Sequence, residues 1–376
     1  MFRAPLVLAA LALSAASANA DDALPSMNKP KVELVFALDT TGSMGGLIEG
    51  AKQKIWFIAN EALKAKQKPD VRIGLVAFRD KGDEYVVKSL PLTGDLDVVY
   101  ETLMSYRADG GGDGPEHVNA ALDHAVHQMQ WSQGKDVLRL VFLVGDAPPH
   151  MDYDDDVKHT RSSKDALEKN IYIHTIQCGG DPTTTTAWRE IARNSEGRYA
   201  AIAQDGGVVA VATPYDDDLR RLAGELDGTT VAYGRREERA KKEGSLARAG
   251  GFASAAPAST AADRAIVKSK VAMSEESAGA DLVSLYAAKG DAAALSVDES
   301  ELPPAMAKMN KAEQKAFLDE QSKKRAQVSK QIAELSKKRD AFVDAERKKS
   351  GGAKDGFDKE VVDMVKGSGA KVGLEY

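Results

Sequence analysis

The sequence has a single cysteine, Cys178, so no disulfide can form within the chain. That thiol ends the apolar run Ile171–Ile176 and reads as a buried strand-end residue. Beyond the first twenty residues no apolar run approaches the roughly 20 residues a membrane helix needs. Positive charge is not in excess: 51 Lys and Arg face 57 Asp and Glu, a formal net charge of −6. Such mild acidity argues against a general nucleic-acid binder. Two catalytic signatures are also missing. Gly110-Gly111-Gly112 is not followed by the Gly-Lys-Ser/Thr of a phosphate loop, and there is no Gly-x-Ser-x-Gly nucleophile elbow.

The start of the chain has the pattern of an export signal. Arg3 supplies positive charge, Leu6 to Ala16 is apolar, and Ala18-Asn19-Ala20 is a small-x-small cleavage site. Residues 1–20 are therefore expected to be a removed Sec-type signal, with the mature protein starting at Asp21 in the periplasm or outside the cell. No Cys follows to carry a lipid anchor, and no integral membrane segment is expected after cleavage. With roughly 350 residues left, one sizeable core plus a smaller module is the expectation.

From Lys31 to Ile202, β-branched runs alternate with helical patterns. Strands are expected at Val32–Leu38, Val71–Phe78, Tyr85–Ser89, Val137–Val144, Ile171–Ile176 and Tyr199–Ile202. Helices are expected at 47–66, 95–106, 115–131, 155–169 and 186–195. Buried strands alternating with helices imply an α/β, doubly wound, mostly parallel six-stranded sheet covered on both faces. The connection Phe78 to Tyr85 looks like a tight hairpin, so one edge strand is expected to be antiparallel.

Composition then changes along the chain. Residues 204–243 read as a closing helix and a short extended segment, and 244–262, rich in Ala, Gly and Ser, as a flexible linker. Residues 263–376 read as a C-terminal helical extension. Its Lys308–Lys349 stretch has no Gly or Pro. Val328, Ile332, Leu335 and Phe342 form a stripe at helical spacing, interrupted by Arg325 and Arg339. Two arrangements fit: a helix folding back on Phe357–Val365 after Gly351-Gly352, or a coiled coil that joins two copies.

Three loops carry the chemistry. Asp39-Thr40-Thr41-Gly42-Ser43 follows the first strand, with a carboxylate and two hydroxyls at alternate positions. Asp109-Gly110-Gly111-Gly112-Asp113-Gly114-Pro115-Glu116 precedes a helix, and Asp146-Ala147-Pro148-Pro149-His150 follows the run Leu138–Val144. Open α/β sheets gather such loops at the carboxyl ends of their strands. Hard oxygen donors of low total charge suit Mg²⁺, or Mn²⁺ or Ca²⁺. Asp39 or Asp113 alone would be explained by capping a helix, but three oxygen-bearing loops at one sheet edge would not.

These motifs resemble the von Willebrand factor type A domain over roughly residues 31–203, a Rossmann-like α/β fold. Asp39, Thr41 and Ser43 match the family's Asp-x-Ser/Thr-x-Ser, and Asp146 matches the Asp that ends its fourth strand. The Gly-rich loop departs from the family's Thr and offers Asp113, as in hemicentin-like and alpha-kinase-associated A domains. The resemblance implies a metal-ion-dependent adhesion site of Asp39, Thr41, Ser43, Asp113 and Asp146. Such a site implies a protein ligand whose acidic group completes the metal's coordination, and no enzymatic activity. Two other readings stay open: a metal-assisted hydrolase with His150 or Glu116 as base, and a scaffold in which the metal only stabilises the fold.

Other polar clusters are weaker. His117, His124 and His127 lie on one expected helix, apart from its apolar sector, and read as a solvated face rather than a zinc site. Asp152 to Asp156 lacks the Gly and Glu of a calcium loop and reads as the cap of the following helix. Thr183 to Thr186 reads as a helix start and Trp188 as a core anchor.

Overall fold

The computed structural model describes residues 29–112, 114–202, 211–274, 276–349 and 356–376. The export signal, Asp113 and the Gly351-Gly352 break lie outside the described residues.

Six strands form one sheet in the order β3-β2-β1-β4-β5-β6: β1 (Lys31–Asp39), β2 (Asp70–Phe78), β3 (Val87–Thr93), β4 (Val137–Gly145), β5 (Ile171–Cys178) and β6 (Tyr199–Ile202). All neighbours are parallel except β2 and β3, the antiparallel edge pair expected from the short connection between them. β1 pairs with β2 on one side and β4 on the other, so the chain reverses its winding beside β1. A crevice suited to ligands opens at such a point, outside the carboxyl ends of the strands.

The period-2 alternation of β1 sorts its side chains to two cores. Leu34, Phe36 and Leu38 face α1 (Ile48–Ala62) and α2 (Leu96–Ser105), where Trp56 and Tyr100 pack with ring centroids 5.4 Å apart. Val35 and Ala37 face the other side, under α3 (Val118–Asp123), α4 (His159–Glu168) and α5 (Pro182–Asn194). Trp188 is fully buried in this second core, and its indole N–H donates to the Ala147 carbonyl at 3.1 Å. Asp181 caps α5 by accepting from Thr184 N, with Pro182 in the first turn. Cys178 is buried at the end of β5, and its surroundings raise the thiol pKa.

The remaining helices are α6 (Asp216–Asp227), α7 (Arg236–Ala255), α8 (Ala258–Val271), α9 (Leu282–Leu295), the short α10 (Pro304–Ala307), α11 (Lys311–Lys349) and α12 (Gly356–Ala370). The expected linker over 244–262 is not one: α7 and α8 occupy it, broken only around Pro257. The stretch is too poor in large apolar residues to build a core of its own. It does not have to, because Ala249 and Ala253 add to the core already made by the sheet. Small side chains let α7 lie close against α2, and alanine is the best helix former.

Ion pairs fasten this layer. Asp97, at the start of α2, accepts from Lys242 (2.8 Å), Arg264 (2.7 Å) and Lys268 (2.6 Å). The two arginines that interrupt the stripe of α11 are anchors of the same kind. Arg325 is buried, and all three of its guanidinium nitrogens have acceptors among Thr229, Ala272, Asp281 and Ser284. Arg339 meets Asp216 at 2.8 Å and Asp263 at 2.7 Å. Helix α11 packs on α6, α8 and α9, with Val328 and Ile332 in a core shared with Leu219, Leu222 and Ile266. Helix α12 packs separately, against α1 and β6. The stripe is therefore used within the chain, on partners other than the expected Phe357–Val365.

Candidate functional site

Asp39 is the last residue of β1 and is fully buried. Its Oδ1 accepts from the Thr41 backbone N–H at 2.9 Å and the Thr41 hydroxyl at 2.6 Å. The Ser43 hydroxyl donates to Asp146 Oδ1 at 2.9 Å, just beyond the end of β4. Each hydroxyl has one proton, and in both cases it points to a carboxylate. The two oxygens lie 3.1 Å apart with lone pairs to offer. Ser43 is exposed and Thr41 buried, so this row of oxygens runs from the interior to the surface.

The Gly-rich loop is tied to the same edge. Asp109 N donates to Thr40 O at 3.0 Å, and Gly42 N to Gly110 O at 3.0 Å. A Cβ on Gly42 would sit 2.8 Å from that Gly110 carbonyl, so a side chain there would force the loops apart. Gly45 and Gly46 have open space around them and no such constraint. Gly111, at φ +78°, donates its N–H to both oxygens of Asp83, at 3.1 and 3.0 Å. The loop's far end is joined to the third segment: Glu116 N donates to Pro148 O at 2.9 Å, and His150 N to Glu116 O at 3.1 Å. The three loops expected to converge do so.

This arrangement leaves negative charge poorly compensated. Burial pushes the Asp39 carboxyl up to about 7, although the Thr41 hydroxyl and N–H hold against it. Glu116, only 2 % exposed, is pushed up to about 9 by burial and by the charges of Asp39 and Asp80. Burial also raises Asp146. Asp39 Oδ2 and Glu116 Oε2 are buried without a hydrogen-bond donor. Orphaned carboxylate oxygens are costly in a native fold. Two such oxygens beside two hydroxyls fit a hard divalent cation. Among the described residues no three His, Cys, Asp or Glu side chains could hold an ion by themselves, so the hydroxyls would have to share the work.

The von Willebrand factor A domain profile matches residues 33–214, which take in β1 from its third residue and all of β2 to β6. Residues 33–214 are a von Willebrand factor A domain. Among named relatives, von Willebrand factor A domain-containing protein 7 of Mus musculus is 31% identical over 202 residues, 52% of this chain and 21% of that protein. Alpha-protein kinase vwkA of Dictyostelium discoideum is 34% identical over 121 residues, 32% of this chain and 19% of that one. The chain thus spans about a fifth of the length of these relatives. A solved structure, the conserved hypothetical protein BatB from Bacteroides thetaiotaomicron, is 20% identical, covers 46% of this chain and 90% of its own, and superposes with a TM-score of 0.36.

The A domain departs from the sequence reading at several residues near this edge. Glu116 stands against Thr41 and Gly111, a carboxyl that the match to Asp-x-Thr-x-Ser did not assign to the metal. Its signal was the Pro-Glu pair closing the Gly-rich loop. Arg79, also unassigned, donates to Thr40 O at 3.1 Å and Arg107 O at 3.0 Å, holding the first two loops together. His117 is buried rather than solvated, edge-on to the Tyr153 ring, while His124 and His127 are half-buried. The Asp152 to Asp156 run does not cap α4, which begins at His159 with no side-chain cap. Instead, Asp156 accepts from Asn119 at 2.9 Å and pairs with Lys158 at 2.6 Å. His150 is buried, stacked on Tyr153 at 4.1 Å, with Nδ1 2.8 Å from Asp152. Tyr153 in turn donates its hydroxyl to Asp80 at 2.8 Å.

Proposed function

We propose that this is an exported binding protein whose A domain holds a divalent cation, Mg²⁺ or a similar hard ion, at Asp39, Thr41, Ser43 and Asp146. Glu116 would flank the ion on the Gly111 side, and Asp113 would add a carboxylate from the same loop. The bound cation would supply positive charge at the exposed Ser43 rim, where an acidic side chain of a protein ligand can complete its coordination. The observation that carries this reading is the row of four oxygen-bearing side chains, from buried Asp39 to half-buried Asp146, with an orphaned carboxylate oxygen at its inner end. Extra carboxylates tighten the hold on a cation and weaken its pull on an incoming carboxylate. In the cation-free site, burial and the charges of Asp39 and Asp80 favour the protonated form of Glu116.

The same carboxyl bears on the hydrolase reading. A general base must be unprotonated at working pH, and burial beside Asp39 and Asp80 opposes that in the cation-free site. The scaffold reading assigns α11 to assembly, whereas its apolar stripe is spent within the chain.

The test is binding of an acidic peptide to the immobilised full chain in Mg²⁺ and in EDTA. The expected result is binding in Mg²⁺ that is lost in EDTA and in Asp39→Ala. Equal binding in all three would overturn the reading.

A further inference from the structure

Along the seam between the A domain and the helical layer, charges of the two signs are matched almost one for one. Lys242, Arg264 and Lys268 face Asp95, Asp97 and Asp227. Arg220 of α6 is left over. It is half-buried, its Nη2 donates to the Ala256 carbonyl at 3.2 Å, and among the described residues it forms no ion pair. Glu49, whose charge also reaches this seam at Tyr100, is exposed and pairs with Lys52 at 2.7 Å.

Hydrogen-bond donors gather beside Arg220. Trp56 Nε1, the Tyr100 hydroxyl, Arg220 Nε, the Thr260 hydroxyl and Arg264 Nε are buried without a hydrogen-bond partner among the described residues. The rings of Trp56 and Tyr100 lie 5.4 Å apart, and the Arg264 guanidinium stands 5.1 Å over the Tyr100 ring. Thr260 is one turn before Arg264 on the same face of α8. The Ala256 carbonyl that holds Arg220 lies just before the start of that helix. The charges of Arg220 and Arg264 both act on Tyr100. Burial nevertheless raises its hydroxyl to about 12, so it keeps its proton and remains a donor.

Trp56, Tyr100, Thr260 and Arg264 are at most 3 % exposed, so bulk water does not serve them. The Tyr100 ring can take one Arg264 N–H on its face. It offers nothing to its own hydroxyl, to Thr260 or to Arg220. Buried donors left this way are costly. A water molecule accepts from such groups but brings two protons of its own and no charge. A small anion accepts from all of them and balances Arg220.

We propose that this seam holds a small monovalent inorganic anion of the halide class, bound among Trp56, Tyr100, Arg220, Thr260 and Arg264. The anion joins α6 and α8 to the A domain alongside the ion pairs of Asp97.

The probe is bromide. The full chain is melted in EDTA, which keeps the metal edge out of the measurement. Sodium bromide replaces sodium gluconate at fixed ionic strength, because gluconate is too bulky for a buried site. The melting temperature should rise by at least about 2 °C and level off as the site fills. Tyr100→Phe and Thr260→Val each remove one hydroxyl with little change of shape, and Arg220→Met removes the excess charge. Each should raise the bromide concentration at half-effect, by about threefold for a hydroxyl and about tenfold for the arginine. Crystals grown in bromide and measured at the bromine edge should show an anomalous peak between Tyr100 Oη and Arg264 Nε. The proposal is overturned by a melting temperature that does not rise and level off, by a rise that all three variants share unchanged, or by density there that is water alone.

Discussion

Ser43 donates a hydrogen bond to Asp146 at 2.9 Å although 103 residues separate them. The contact joins the ends of β1 and β4, the two strands beside the point where the winding reverses. Ser43→Ala should therefore cost about 1 kcal/mol in EDTA, the net worth of one hydrogen bond. In Mg²⁺ it should lose more, because a metal ligand goes with it. Urea titrations of both proteins in both buffers measure the difference; an equal loss in the two buffers would mean that Ser43 does not touch the ion.

Asp97 gathers three cations from two helices onto the A domain. Those cations hold its carboxyl well below the usual range despite burial. Asp97→Asn leaves Lys242, Arg264 and Lys268 short of a counter-charge in a buried site. Breaking such a pair costs about 3–5 kcal/mol. A loss under about 1 kcal/mol by urea denaturation would mean that α7 and α8 are held mainly by apolar packing.

Helices α7 and α8 also make a prediction about the segment once expected to be a linker. Trypsin under native conditions should leave the chain uncut at Arg248, within 244–262. Rapid cleavage there would restore the linker reading.

His174 is buried under α12, with Nδ1 accepting from Arg198 N at 3.0 Å and Nε2 3.1 Å from the Ser368 hydroxyl. Burial, with the charges of Arg198 and Lys371, pushes its pKa down to about 3. The unfolded chain titrates this group near about 6.5. Between those values the unfolded state binds a proton that the folded state refuses, so stability falls as pH falls through the window. The slope approaches about 1.4 kcal/mol per pH unit. His174→Gln should be less stable than the parent at pH 7, and the gap should narrow by pH 5. A constant gap would contradict the assignment.

Legibility in the sequence followed residue size and spacing. The strands were readable because buried parallel strands are continuous β-branched runs, and all six lie where Val32, Val71, Tyr85, Val137, Ile171 and Tyr199 mark their beginnings, within two residues. The loops at the carboxyl edge of the sheet were readable because oxygen side chains follow the ends of those runs. The α7–α8 layer was not, since Ala249 and Ala253 look like linker residues until a finished core stands beside them. Arg325 and Arg339 looked like defects in an apolar stripe because their partners, Asp281, Asp216 and Asp263, lie far away in sequence. Glu116 reads from the sequence as a candidate base, and only its burial shows that it stands beside Asp39.

The most direct test is thermal unfolding of the full chain in EDTA and in Mg²⁺, beside Asp39→Ala. A site filled at about a hundred times its dissociation constant adds roughly 2.7 kcal/mol, so the parent should melt higher in Mg²⁺. Asp39→Ala should show no such rise. A melting temperature indifferent to Mg²⁺, Mn²⁺ and Ca²⁺, or one that rises equally in Asp39→Ala, would contradict the account.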